Sequence, residues 1–213
     1  MSDLLLYDYF RSSAGYRVRI ALAMKGLSYR RHPVQLLPGE QRQPDYLARN
    51  PQGLVPALDI GGAVLTQSLA ILDWLDRRYP EPRLLPDEPE ARARQYAMAL
   101  AIACDIHPID NLRVLQYLDR ELQVAKPDRD AWYAHWIVEG LTALERMAGD
   151  GRFLGGEEPG LADICLVPQL YNARRFSVPL DAFPKLVAID AAATALPAFA
   201  AAHPDRCEEA SGA

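Results

Sequence analysis

The sequence predicts an α/β domain of about 85 residues followed by an all-helical domain. Three observations carry this reading. Short apolar runs alternate with helix-period stretches as far as about Tyr79. The stretch from Tyr79 to Glu90 then holds Pro80, Pro82, Pro86 and Pro89, which no helix can run through, because proline lacks the donor and clashes with the preceding turn. From Ala91 onward every apolar pattern has helical spacing. The expected domains are therefore residues 1–85 and 86–213.

Taken in order, Leu4 to Tyr7 reads as a buried strand. Ser12 and Ser13 then precede Tyr16, Ile20 and Met24, and Lys25-Gly26 closes the run, which gives a helix with a start and a stop signal. Tyr29 to Val34 is a second strand, ended by the polar loop Pro38 to Gln41. Pro56 to Ile60 and Ala63 to Leu65 flank Gly61-Gly62, the pattern of a hairpin. After Gln67-Ser68, the residues Leu69, Leu72 and Leu75 mark an amphipathic helix ending near Tyr79-Pro80. Helices are expected over about Ala91–Leu122, Ala131–Met147, Leu161–Arg174 and Leu186–Ala195, with a frayed tail after His203-Pro204.

Composition removes several function classes. At 213 residues, with 50% hydrophobic and 24% charged, the chain has ample material for a core, so disorder is excluded. A net charge of −5 argues against general nucleic-acid binding. No apolar run approaches the roughly 20 residues of a membrane span. Met1-Ser2-Asp3 lacks the basic-then-apolar pattern of a secretory signal. Cys104, Cys165 and Cys207 are widely spaced, so neither a disulfide framework nor a metal site is indicated and a cytoplasmic location is expected. Lysine is confined to Lys25, Lys126 and Lys185, leaving 20 of the 23 cations as arginine, the better residue for bidentate capture of carboxylates.

Three places could carry chemistry. Ser12-Ser13 opens a helix directly after a strand; a plain helix cap is the commoner role there, but the helix start is also a ready anion site whose hydroxyl can donate to a thiolate. Val55-Pro56 opens the third strand, as a tolerated edge proline or as a cis peptide that offers its backbone to a ligand. Gln67-Ser68 starts the next helix and could hold a carboxylate.

In this order, within one β-α-β-β-β-α unit, these features resemble the glutathione transferases, whose thioredoxin-like first domain is followed by a helical one. Phe10-Arg11-Ser12-Ser13-Ala14-Gly15-Tyr16-Arg17-Val18-Arg19-Ile20 is similar to the zeta-class signature Ser-Ser-Cys-x-Trp-Arg-Val-Arg-Ile. Asn50 to Pro56, Cys104 to Arg113 and Leu161 to Gln169 also resemble that class. The resemblance implies glutathione as cofactor, a dicarboxylate substrate, a homodimer, and cis–trans isomerisation of maleylacetoacetate to fumarylacetoacetate or of maleylpyruvate. It implies Ser12, Ser13 and Arg11 as catalytic residues. Gln41, Gln52, Val55, Gln67, Ser68, His107 and Asn111 are then cofactor-binding, and Arg11, Arg113 and Arg175 substrate-binding. Two departures stand out: Ala14 replaces the signature cysteine, and Gly160 replaces the usual hydroxyl cap before Asp163, so the reciprocal capping bond is lost.

The implied chemistry adds thiolate to the double bond, lets the resulting single bond rotate, and expels the thiolate again. Lowering a thiol from about 8.5 to about 6.5 takes about 2.7 kcal/mol. A helix terminus supplies about 0.3–2 kcal/mol and a hydrogen bond to a charged group about 1.5–3, so together they suffice without a catalytic cysteine or a metal. His107 and Asn111, four apart, are expected on one helix face, while Arg113 is aimed by resemblance rather than by spacing. Arg174 and Arg175 compete for one role, and the family's Arg-before-Phe pattern favours Arg175. Cys104 and Cys165 are expected on apolar helix faces, and Trp132, Tyr133 and Trp136 in the helical core. Conjugation or dehalogenation, and a non-catalytic glutathione-binding module, are the competing readings; an apolar second site would favour the former.

Overall fold

The computed structural model describes residues 4–212, with side chains to residue 210; the opening Met-Ser-Asp, on which the signal-peptide reading rests, lies outside the described residues. The chain divides into two compact units, one of residues 1–84 with 195–213 and one of 85–194.

In the first unit, β1 (Leu5–Asp8), β2 (Arg30–Pro33), β3 (Ala57–Asp59) and β4 (Val64–Thr66) form a four-stranded sheet in the order β2-β1-β3-β4. β1 and β2 are parallel, joined by α1 (Ser13–Met24), whereas β1–β3 and β3–β4 are antiparallel. The period-two alternation of a strand then sorts the core. Tyr7 and its partner Ala57 cluster with Val34 and Tyr46, while Leu6 and its partner Leu58 point to the other face, fully buried. The Gly61-Gly62 hairpin is pinned by Asp59, whose Oδ1 accepts from the Gly61 N–H at 2.9 Å. A short helix α2 (Pro44–Leu47) precedes β3, and α3 (Ser68–Arg78) follows β4 and packs on α1.

The start of α1 passes so close to the end of β1 that a Cβ at residue 15 would lie 1.7 Å from Asp8 Oδ1, and glycine is the residue there. Asp8 is wholly buried and ion-paired with Arg19, with Arg31 Nε at 3.4 Å. Burial pushes its carboxyl up, against the opposing pull of Arg19 and Arg31.

The second unit contains α4 (Pro89–Leu100), a π-helical turn (Ala101–Ile106), α5 (Leu112–Arg120), α6 (Lys126–Met147), α7 (Leu161–Arg175) and α8 (Pro184–Thr194). From Leu161 to Leu170 every residue of α7 is buried, which makes it the central helix of this unit. Its start is held by Asp163, whose two oxygens accept from Gly160 N–H (2.9 Å) and Leu154 N–H (2.8 Å). Glycine has no side chain, so the hydroxyl half of a capping box is indeed missing, but the return half from Asp163 is present.

Four expectations are corrected. The helix expected over Ala91–Leu122 is three segments: His107 N–H bonds to Ile102 O in the wider π register, and the chain turns before α5. In a regular helix the Pro108 ring would meet the carbonyl four residues back, at Cys104; the wide turn ends the helix ahead of it. His107 and Asn111 therefore do not share a helix face: His107 ends the π turn and Asn111 caps α5, accepting from Arg113 N–H at 2.9 Å. Cys104 is exposed rather than packed, whereas Cys165 is buried. The tail after His203 is not frayed over its described length. It forms two 3-10 turns which, with the preceding helix α9 (Pro197–Ala201), lie with the first unit, whereas residues 86–213 were expected in the helical domain. Arg19 Nε donates to Ala202 O, Arg31 pairs with Glu209 at 2.8 Å, and Cys207 is buried.

Candidate active site

Ser12 is the N-cap of α1, with extended backbone angles and its Oγ accepting from Gly15 N–H at 3.1 Å. Capping consumes an acceptor lone pair and leaves the hydroxyl hydrogen available, so the cap and a donor role are compatible. Ser13 follows as the buried first helical residue. The first turn of α1 contains no acidic residue, and neither does that of α3. α5, α8 and α9 also lack one, whereas α2, α4, α6 and α7 carry an Asp or Glu there. The positive ends of α1 and α3 are thus left without the anion that commonly compensates them. Arg11 lies half-buried with its guanidinium over the Phe10 ring at 4.8 Å.

The Val55–Pro56 peptide bond is cis, the second of the two alternatives that the sequence left open. The loop before it is clamped from within. Leu54 O accepts from Tyr46 Oη (2.6 Å) and Asn50 Nδ2 (2.7 Å), and Asn50 Oδ1 accepts from Gln52 N–H (3.1 Å). Gly53 turns here with φ +61°, and a Cβ on it would lie 3.0 Å from Gln41 O. Gln41 Nε2 donates to Leu36 O at 3.3 Å, and its buried Oε1 has no hydrogen-bond partner.

Gln67 precedes α3 with φ +66°, an unusual angle for a side-chain-bearing residue, and does not cap the helix. Its Nε2 donates instead to Gln52 Oε1 at 2.7 Å, which joins two residues 15 apart in sequence. Ser68, buried, accepts from Arg17 Nη1 at 3.3 Å. Arg11, Ser12, Ser13, Gln41, Gln52, Val55, Gln67 and Ser68 all belong to the first unit.

The remaining candidates lie in the second unit. Arg113 is exposed on α5. Arg174 pairs with the buried Asp190 at 2.7 Å, which separates it from its neighbour. Arg175 lies over Phe176 at 4.8 Å, reaches Asn172 Oδ1 at 3.5 Å and donates to the Tyr133 hydroxyl. Tyr133 stacks on Phe176 with centroids 3.8 Å apart, while Trp132 and Trp136 are only half-buried. Asp110, between His107 and Arg113, is buried with neither carboxylate oxygen hydrogen-bonded, and burial pushes its carboxyl up to about 7.

The sequence reading missed Arg17, Tyr46 and Asn50. Asn50 had a legible signal, since Asn before Pro-x-Gly commonly closes a turn on its own backbone. Arg17 matches an Arg of the zeta-class signature, but nothing in that match assigns it a role.

An α/β unit with a cis proline before β3 and helices starting directly after β1 and β4 has the layout of the first domain of a glutathione transferase. The family model "Glutathione S-transferase, N-terminal domain" matches residues 6–83, and "Glutathione S-transferase, C-terminal domain" matches residues 129–206. The chain belongs to the glutathione S-transferase family, in its zeta class. Among its relatives, a maleylacetoacetate isomerase of Pseudomonas aeruginosa is 50% identical over 93% of this chain and 95% of its own. A holo structure of maleyl pyruvate isomerase, a bacterial zeta-class enzyme, superposes with a TM-score of 0.94 at 42% identity, covering 96% of this chain and 99% of that one. The maleylacetoacetate isomerase of Anaeromyxobacter dehalogenans, solved with dicarboxyethyl glutathione and citrate in its active site, gives 0.86 at 44% identity, covering 99% of each chain. Among the described residues no helix is long and apolar enough to cross a membrane.

Proposed function

We propose that this protein is a glutathione-dependent isomerase that converts maleylacetoacetate to fumarylacetoacetate. The observation that carries the reading is the 50% identity to a maleylacetoacetate isomerase over 93% of this chain, with Ser12-Ser13 and Gln67-Ser68 at helix starts directly after β1 and β4. Ser12 donates its hydroxyl hydrogen to the glutathione sulfur, with the start of α1 and Ser13 favouring the thiolate. Gln41, Gln52, Val55, Gln67 and Ser68 hold the peptide, as do His107 and Asn111 from the helical domain, and Ser68 takes the γ-glutamyl carboxylate.

The thiolate adds to the carbon of the cis double bond that is β to the ketone, and the electron pair moves to the ketone oxygen as an enolate. The former double bond is now single and rotates. Collapse of the enolate re-forms the double bond in the trans geometry and expels the thiolate, so no atom or electron is gained or lost. Arg11, Arg113 and Arg175 stabilise the substrate carboxylates and the enolate oxygen, and fixed cations at developing charge are worth most where water is scarce. The dicarboxyethyl adduct of the Anaeromyxobacter relative has the connectivity expected of a thiolate added to an unsaturated dicarboxylate. The enzyme is read as a cytoplasmic homodimer, for which light scattering on the purified protein is the check.

The test is turnover of maleylacetoacetate with glutathione, followed by chromatographic separation of the cis substrate from the trans product. Turnover that requires glutathione and disappears when S-methylglutathione replaces it is expected; glutathione binding without any turnover overturns the reading. A second reading, maleylpyruvate as substrate, is favoured by the TM-score of 0.94 to a maleyl pyruvate isomerase. The ratio of kcat/KM for the two substrates decides between them.

A further inference from the structure

Arg17 is the largest side chain that the structure buries completely, with only 1% of its surface exposed. It projects from α1 toward the start of α3, where its Nη1 donates to Ser68 Oγ at 3.3 Å. A guanidinium only donates, and a serine hydroxyl has one hydrogen to give and lone pairs to accept with. By occupying an acceptor site on Ser68 from the protein side, Arg17 leaves the hydroxyl hydrogen to be given elsewhere and polarises it. The same residue places a permanent positive charge behind a helix start that has no acidic residue in its first turn and no side-chain cap from Gln67. Buried charges are screened far less than exposed ones, so this charge acts on whatever lies at the start of α3.

We propose that Arg17 is a positioning and specificity residue that orients Ser68 and makes the start of α3 select an ionised carboxylate, the γ-glutamyl carboxylate of glutathione, over a neutral group. This rests on the glutathione-dependent reading above and deepens it. Arg17 touches no reacting atom, so it governs affinity for the peptide and not the bond rearrangement.

The test is calorimetric binding of two probes, glutathione and glutathione amidated at its γ-glutamyl α-carboxylate, to the wild-type protein and to Arg17→Met, Arg17→Lys, Ser68→Ala and the Arg17→Met, Ser68→Ala double variant. Arg17→Met is expected to weaken glutathione binding about tenfold, which is about 1.4 kcal/mol, and to leave the amide unchanged. Arg17→Lys keeps the charge and is expected to retain most of the preference for the acid, and the double variant to lose no more than the two single losses combined would give. Equal weakening of both probes by Arg17→Met and Arg17→Lys, or no weakening of either, overturns the proposal. If Arg17→Met does not fold, loss of the acid preference in Arg17→Lys does the same. A wild-type protein that binds neither probe overturns the glutathione reading and this inference with it; a normal acid preference without isomerase turnover overturns the isomerase reading alone.

Discussion

Replacing Asp110 by Asn changes how stability depends on pH, and the structure fixes both sign and size. The Asp110 carboxyl is buried, neither of its oxygens is hydrogen-bonded, and burial pushes it up from 3.8 to about 7. Between about pH 4 and pH 7 the folded protein therefore holds a proton that the unfolded chain has released. Raising the pH through this window favours the unfolded chain, and the loss is complete once the folded carboxyl ionises, near pH 7. About three pH units at about 1.4 kcal/mol each give a loss of about 4 kcal/mol between pH 4 and pH 8. The substituted amide cannot ionise, so the variant escapes this loss, although its buried N–H donors cost stability at every pH. The readout is accordingly the slope and not the offset: wild type minus variant falls by up to about 4 kcal/mol from pH 4 to pH 8. Asp8 and Asp163, whose carboxyls burial also pushes up, are present in both proteins and cancel. Urea unfolding followed by tryptophan fluorescence suits the purpose, because Trp132 Nε1 donates to Ile109 O, next to Asp110. Parallel stability curves for the two proteins across this range would refute the reasoning.

Ser12→Ala removes the cap of α1 and the proposed thiolate donor together. It is expected to cost about 1 kcal/mol of stability in a thermal melt and about a hundredfold in isomerase kcat. Asp163→Ala strands the Gly160 and Leu154 N–H groups beneath the central helix and is expected to cost about 2–4 kcal/mol in urea unfolding. Gly15→Ala sets a methyl 1.7 Å from Asp8 Oδ1, so expression in inclusion bodies or a melting temperature lower by many degrees is expected, and a wild-type melt would contradict the packing. Arg175→Met is expected to suppress isomerisation at least tenfold while sparing glutathione conjugation of an apolar electrophile, as parallel assays on one preparation would reveal.

The four strands, α1 and α3 were legible because each announces itself locally: Leu4 to Tyr7 is apolar throughout, Ser12 and Ser68 stand at helix starts, and Gly61-Gly62 turns a hairpin; the one-turn α2 between β2 and β3 was not expected. Nor was the break before α5. A proline at 108 reads as a kink in any one-dimensional pattern, and the turn ahead of it brings Ile106 so near α6 that a Cβ at residue 140 would lie 2.3 Å from Ile106 Cγ1. That glycine is far along the chain from Pro108, so no local pattern joins the two. The candidate site divides in the same way. Ser12, Val55-Pro56 and Gln67-Ser68 could be found because their chemistry depends on a helix start or a peptide bond. Arg17 depends on a contact across 51 residues, which the signature match around it does not reveal. The tail misled for another reason: its small polar residues promise little burial, yet Arg31 and Arg19 reach out to hold it.

That tail makes the helical unit an insertion within the first, rather than a successor to it. During synthesis, Arg19 and Arg31 leave the ribosome long before their partners Ala202 and Glu209, so the sheet unit waits for some 110 intervening residues before it can close. A fragment cut at residue 85 would lack α9 and the backbone acceptor of a buried guanidinium, and it should not be expected to behave as a minimal glutathione-binding module.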